Sequence, residues 1–233
     1  MNKIKVFTLL MCMASLGAWA QEAEQEIPAD SNKLRNQVDQ KIYQMALRYN
    51  DPVIAKAKLY ELIERNPNNL AYRELLGNIY FEMDQYSSAA LVALDLLQIN
   101  DKSIPALEIA AYSLEQLGAL DRALPHFESL HLLSGDLFSL YKTAYLQFSL
   151  KKFDEALNSA AMLAKDKKAV EQMLAFPKKD NTNQEVSMRV AALNLKGLIH
   201  KEKGEMEEAK AAFDEALADA PDFELAQENL ADL

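Results

Sequence analysis

Residues 70–101 read Leu-Ala-Tyr-Arg-Glu-Leu-Leu-Gly-Asn-Ile-Tyr-Phe-Glu-Met-Asp-Gln-Tyr-Ser-Ser-Ala-Ala-Leu-Val-Ala-Leu-Asp-Leu-Leu-Gln-Ile-Asn-Asp. Apolar residues recur every three or four positions, β-branched residues are few, and turn formers stand at Asp84-Gln85 and Asn100-Asp101. This pattern predicts two amphipathic helices joined by a tight turn near Asp84-Gln85. Leu76, Tyr80 and Leu96 fill the seam between them, while small Gly77 and Ala89 let the helices approach closely.

The unit is not alone. Ala55, Ala89 and Ala123 stand thirty-four residues apart, Ala156 follows after thirty-three, and Ala209 after fifty-three, which is one more period plus nineteen. A fixed period in this range marks a solenoid, in which each unit relies on its neighbours to bury its apolar face. The first unit carries Ala55, Leu59 and Leu62 and closes at Pro67, behind a more divergent first helix of about 33–49. The third carries Ala111, Gly118, Ala123, Phe127 and Leu130. The fourth carries Ala144, Phe153, Ala156 and Leu163, and the fifth Gly197, Gly204, Ala209, Phe213, Ala216 and Pro221.

The repeated block resembles a tetratricopeptide repeat, whose pattern has Leu-Gly, a Tyr three residues later, an Ala nine beyond that and a closing Pro. The resemblance implies an all-α fold, a right-handed α-solenoid of about five helix hairpins. Repeats one to four then occupy residues 33–166 and repeat five residues 188–221. Residues 222–233, with Phe223, Leu225, Ala226 and Leu230, are expected to form a capping helix over the last unit. Asp101 and Gly135 replace the closing Pro of two units, both being acceptable helix-stop residues. Pro125 falls inside a second helix, where it removes one backbone hydrogen bond and is expected to bend it.

The ends differ from the repeats. Lys3 and Lys5, the apolar run from Val6 to Leu16 and Ala18-Trp19-Ala20 read as a signal peptide over residues 1–20, cleaved after Ala20. The run is too short to span a bilayer. Cys12, the single cysteine, offers lipid attachment as an alternative, although bulky Met11 precedes it. Removal of residues 1–20 leaves no thiol, hence no disulfide framework and no thiolate metal site. Residues 21–32, polar and acidic around Pro28, are expected to be a flexible leader. A periplasmic or secreted location follows from this reading.

The formal charge of −10 argues against nucleic acid and anionic lipid as main partners, since both demand clustered Lys and Arg. A membrane would be met only indirectly. About nineteen extra residues separate the fourth and fifth repeats, so 167–187 is an insertion. Val170, Met173 and Leu174 have helical spacing, Pro177 ends that segment, and Lys178 to Asn183 is a polar loop. A short helix plus loop is expected, either packed on the convex side or laid over a binding face.

By resemblance, the first helices of successive repeats line a concave groove through their second, fifth, ninth and twelfth positions. Carried onto this chain, the groove residues are Glu74, Asn78 and Phe81 in the second unit. Glu108, Tyr112 and Glu115 follow in the third, and Phe138, Tyr141, Tyr145 and Phe148 in the fourth. The groove is expected to be acidic in its first half and aromatic in its second. The fourth-unit aromatics have a second reading, as packing between neighbouring helices. Relatives that clamp a chaperone's terminal carboxylate need a Lys where Glu74 stands, so that ligand is excluded. An apolar, aromatic or basic peptide segment suits these residues better.

No cofactor, metal or catalytic site is expected. His126 and His131 are five apart and turn to different helix faces, and no HExxH pattern, nucleophile elbow or phosphate loop occurs. The function expected is an exported bacterial scaffold or adaptor that binds a protein or peptide in its groove, within a cell-envelope assembly. The alternative is a structural subunit that oligomerises through its convex face or insertion.

Overall fold

The structure is a computed structural model that describes residues 29–233. Five helix pairs follow one another: α1 (Ala29–Arg48) with α2 (Pro52–Arg65), α3 (Leu70–Glu82) with α4 (Tyr86–Ile99), α5 (Ile104–Gln116) with α6 (Leu120–Ser134), α7 (Leu137–Ser149) with α8 (Phe153–Lys165), and α9 (Met188–Lys203) with α10 (Met206–Asp219). A last helix, α11 (Glu224–Ala231), packs on α10. Each helix lies against the next in sequence, the stacking that a repeat array requires. The helix over Ala29–Asn32 starts inside the segment expected to be a leader. The segment expected to be a signal peptide, Cys12 and the rest of the expected leader lie outside the described residues.

The periodic alanines explain the close pairing. Ala55, Ala89, Ala123, Ala156 and Ala209 are all fully buried, each in the second helix of its pair, where a larger side chain would force the helices apart. Gly197 does the same from the first helix, and Gly77 makes room chiefly for the first helix of the next pair. A Cβ on Gly77 would meet Ile109 Cδ1 at 3.2 Å, and one on Gly197 would meet the Phe213 ring at 2.4 Å.

The turns inside the pairs repeat as strictly. Asn50, Asp84, Gly118, Lys151 and Gly204 all have left-handed backbones, with φ of 54°, 56°, 72°, 60° and 78°. Each stands five residues before its alanine. The reversal between paired helices therefore needs one left-handed residue per unit. Gly meets that need freely, Asn and Asp at modest cost, and Lys at the greatest cost.

Between the pairs, helices stop by varied means. Asn66 caps α2 before Pro67, Gly135 ends α6 with φ 69°, and Asn69, Ser103, Asp136 and Ser187 accept backbone N–H bonds at the starts of α3, α5, α7 and α9. Pro125 lies within α6, which continues past it as one helix to Ser134. The lost donor falls in the second turn, so most of the ladder is intact.

The insertion departs from expectation. Lys167–Val170 is a single 3-10 turn, and the residues after it form a β-hairpin rather than a helix and loop: β1 (Met173–Pro177) pairs antiparallel with β2 (Asn183–Ser187). Leu174 faces Val186 in the register, and both are buried. Period-two burial has prevailed over a helical spacing that rested on three residues. Asn181, with φ 64°, turns the loop, and Asp180 accepts from the Thr182 amide and hydroxyl at 2.9 and 2.6 Å.

The hairpin ties the end of the array together. The Phe176 ring meets Phe223 edge-on at 5.3 Å. Gln184 donates to the Asp222 carbonyl at 2.8 Å and accepts from the Glu224 amide at 3.1 Å. Helix α11 has no side-chain cap of its own at Phe223, so Gln184 caps it from forty residues away. Lys179 pairs with Glu228 at 2.7 Å. No helix among the described residues is long and apolar enough to cross a membrane.

Candidate functional site

A cleft of about 400 Å3 opens between α3 and α5, lined by Asn78, Phe81, Glu108, Ile109 and Tyr112. Asn78 and Phe81 lie three residues apart on α3, and Glu108 and Tyr112 four apart on α5, so each pair shares one helix face. Asn78 and Glu108 are exposed, while Phe81 and Tyr112 are partly buried. The result is an apolar floor of two rings and Ile109, rimmed by an amide and a carboxylate.

Tyr112 is held in place from below. Its ring meets Phe127 edge-on at 5.0 Å and lies 6.4 Å from Phe138. Burial pushes its phenol well above the ordinary value, and the carboxylates of Asp136, Glu108 and Glu115 add to the effect. The hydroxyl therefore stays neutral and able to donate. On the other side of the cleft, Phe81 leans edge-on against Tyr86 at 5.3 Å.

The remaining sequence-derived residues are distributed differently. Glu74 accepts a bond from the Ser103 hydroxyl at 3.1 Å, so it serves the junction between the α3–α4 and α5–α6 pairs. Glu115 is mostly buried and paired with Lys142 at 2.8 Å, and Lys142 also lies 5.8 Å from the Phe138 ring. That ion pair cancels charge where an acidic half was expected. The acidic character of the cleft rests on Glu108.

In the fourth unit, Tyr141 packs against the cores on both sides of α7, and burial, with Tyr145 nearby, pushes its phenol up to about 12. Phe148 sits 6.3 Å from Phe153 against buried Ala156 and Ile199. These two rings are packing between helices. Tyr145 is the fourth-unit aromatic that reaches solvent. Ile109 and Lys142 escaped the sequence reading, Ile109 because it adjoins Glu108 at a position that otherwise reads as core. Lys142 escaped because its partner lies twenty-seven residues away.

The histidines are engaged structurally. His131 Nδ1 lies 2.8 Å from the Asp136 carbonyl, and His200 Nδ1 lies 2.6 Å from Glu205, across the turn of the last pair. Burial and the neighbouring Arg122 push the His126 pKa down. Among the described residues, no group of three His, Cys, Asp or Glu side chains is placed to hold a metal ion.

Residues 190–223, which run from the third residue of α9 through α10 and the turn after it, match the family model for the tetratricopeptide repeat. The fold is a tetratricopeptide-repeat array. Three solved structures with this architecture are similar to it. The MamA protein superposes with a TM-score of 0.63 at 17% identity, over 79% of this chain and 91% of that one. A tetratricopeptide repeat protein from Parabacteroides merdae ATCC 43184 gives 0.62 at 19%, over 85% and 72%. YrrB, described as a TPR protein with an unusual peptide-binding site, gives 0.64 at 18%, over 80% and 87%. No curated protein matches the chain by sequence. At these identities the likeness concerns the fold, and the array's ligand must be argued from its own cleft. Tetratricopeptide arrays are typically non-catalytic scaffolds.

Proposed function

We propose that the array is an exported, non-catalytic scaffold whose cleft between α3 and α5 takes an extended peptide segment of a partner protein. The observation that carries this reading is the convergence of Asn78, Phe81, Glu108, Ile109 and Tyr112 on one open cleft. Rings and Ile109 offer apolar contact with little side-chain ordering. Glu108 favours a Lys or Arg on the segment, and Asn78 can bond either a backbone N–H or C=O. The segment is therefore an apolar or aromatic anchor with a basic neighbour. The peptide-binding site ascribed to YrrB, a relative in fold, supports a peptide as the ligand, and its chemistry is argued from the cleft alone. Export rests on the reading of residues 1–20, and the assembly served would then lie in a bacterial cell envelope.

Selection of a random peptide library on the full chain tests the cleft. Asn78→Arg/Glu108→Arg is the comparison variant, because both side chains are exposed and support no neighbour, unlike Tyr112. Enrichment of aromatic-basic peptides by the wild type and their loss from the variant is the expected result. Equal enrichment by both would remove the cleft from the function.

A further inference from the structure

Helix α1 presents an apolar stripe whose positions 38 and 45 are buried in the later repeats, while the position of Leu34 falls there on exposed Asn68, Lys102 and Gly135. Leu34, Val38 and Met45 fall on one side of it, 63%, 47% and 51% exposed. The repeat register shows what this side is for. Counted by the spacings of the periodic alanines, Met45 corresponds to Ile79, Ser113, Leu146 and Ile199, which are 3%, 0%, 0% and 0% exposed. Val38 corresponds to partly buried Tyr72 and then to Ala106, Ser139 and Ala192, all fully buried.

In the later units these positions pack on the second helix of the preceding pair. Ile79 joins Ala55, Leu59 and Leu62 of α2, Leu146 joins Ala123 and Phe127 of α6, and Ile199 joins Ala156 and Ala160 of α8. Among the described residues, no helix precedes α1. The stripe is thus a seat shaped for the second helix of a repeat-like hairpin.

Charge selects its occupant. Lys33, Arg35, Lys41 and Arg48 are exposed along α1 and pair with no carboxylate among the described residues, and the described acidic side chain of this helix, Asp39, is buried. Two copies meeting stripe to stripe would set these cations against each other. The acidic chain as a whole resists an anionic bilayer. We infer that the α1 edge docks an acidic amphipathic helix of a partner protein, which takes the place of a preceding second helix and extends the array. Its apolar side would cover Leu34, Val38 and Met45, and its carboxylates would face Lys41 and Arg48. This surface is separate from the α3–α5 cleft.

A fluorescent synthetic peptide of residues 205–221, the most acidic second helix of this chain, serves as the probe for the full chain. Saturable binding, weakened by salt and absent for a scrambled peptide, is expected. Val38→Glu/Met45→Glu, at two exposed positions and checked for unchanged helicity, should bind about tenfold more weakly. No binding, or binding untouched by this variant, overturns the inference. Sedimentation that shows a dimer abolished by the same substitutions would assign the stripe to a second copy, and capture on phosphatidylglycerol vesicles lost with them would assign it to lipid. Either result also overturns the inference.

Discussion

A methyl group on Gly197 of α9 would stand 2.4 Å from Cε1 of Phe213 on α10, so the last pair closes only because position 197 has no side chain. Phe213 is fully buried and cannot swing aside into solvent. Gly197→Ala should therefore destabilise the fold by roughly 3 kcal/mol, despite alanine's better helix propensity. That is a fall of about 6–12 °C in Tm for a chain of this size, readable by thermal circular dichroism. Gly77→Ala is the counter-case. Its Cβ would meet the movable end of Ile109 at 3.2 Å, and the gain in propensity should hold the change within about 1 kcal/mol of zero.

The turn between α7 and α8 stores strain at Lys151, the one position of its series held by a long side chain. Lys151→Gly should stabilise by about 0.5 kcal/mol, the relief of left-handed strain less the glycine's extra unfolded entropy. At the matching position of the last pair, Gly204→Ala should destabilise by about 1 kcal/mol. Denaturant midpoints that move in the same direction for both would contradict this account of the turns.

Gln184 is the hairpin residue that caps α11. Gln184→Ala should lose about 1 kcal/mol, concentrated at the start of that helix. Hydrogen exchange at Glu224 and the amides after it should accelerate, with α3 to α6 unchanged. An even loss of protection across the array would mean that the cap is not local.

Asp39 on α1 sits beside Lys58 and Arg65 of α2, at 3.1 Å from Lys58 and hydrogen-bonded to Arg65. Burial works against its charge, but the bonds and charges of the two cations outweigh it and hold the carboxyl below the usual carboxylate value. Because the folded value is depressed, this contribution is present above the ordinary carboxylate range and fades as pH falls through the folded value. Asp39→Asn should cost about 2 kcal/mol at neutral pH, less than a wholly buried pair because both cations reach water. Its deficit should vanish in strong acid. A deficit that is constant with pH would show that the loss is steric.

The repeat architecture was legible because its signals are local and redundant. Period, buried alanines, Gly77 and closing prolines each point to the same hairpin. Asn78, Phe81, Glu108 and Tyr112 were reachable only through the resemblance, which implies the helix positions that face a groove once the register is set. What was hidden depends on distance. The Glu115–Lys142 pair and the Gln184 cap join residues that no local pattern links. The β-hairpin was hidden by brevity, because Val170, Met173 and Leu174 fit a helix as well as Leu174, Phe176, Gln184 and Val186 fit two strands. Tyr141 and Phe148 belong to packing because α7 is flanked by neighbours on both sides, which periodicity alone does not reveal.

Recognition in the cleft can be read by placing a photo-crosslinking residue at position 78 of the full chain in its native cells. A matching residue at Leu132, exposed on α6 and outside the cleft, is the control. Position 78 should give one dominant crosslinked partner, joined through a segment with an aromatic or aliphatic anchor beside a Lys or Arg. Leu132 should give little of that product. The same partner captured equally from both positions, or only from Leu132, would contradict recognition in the cleft.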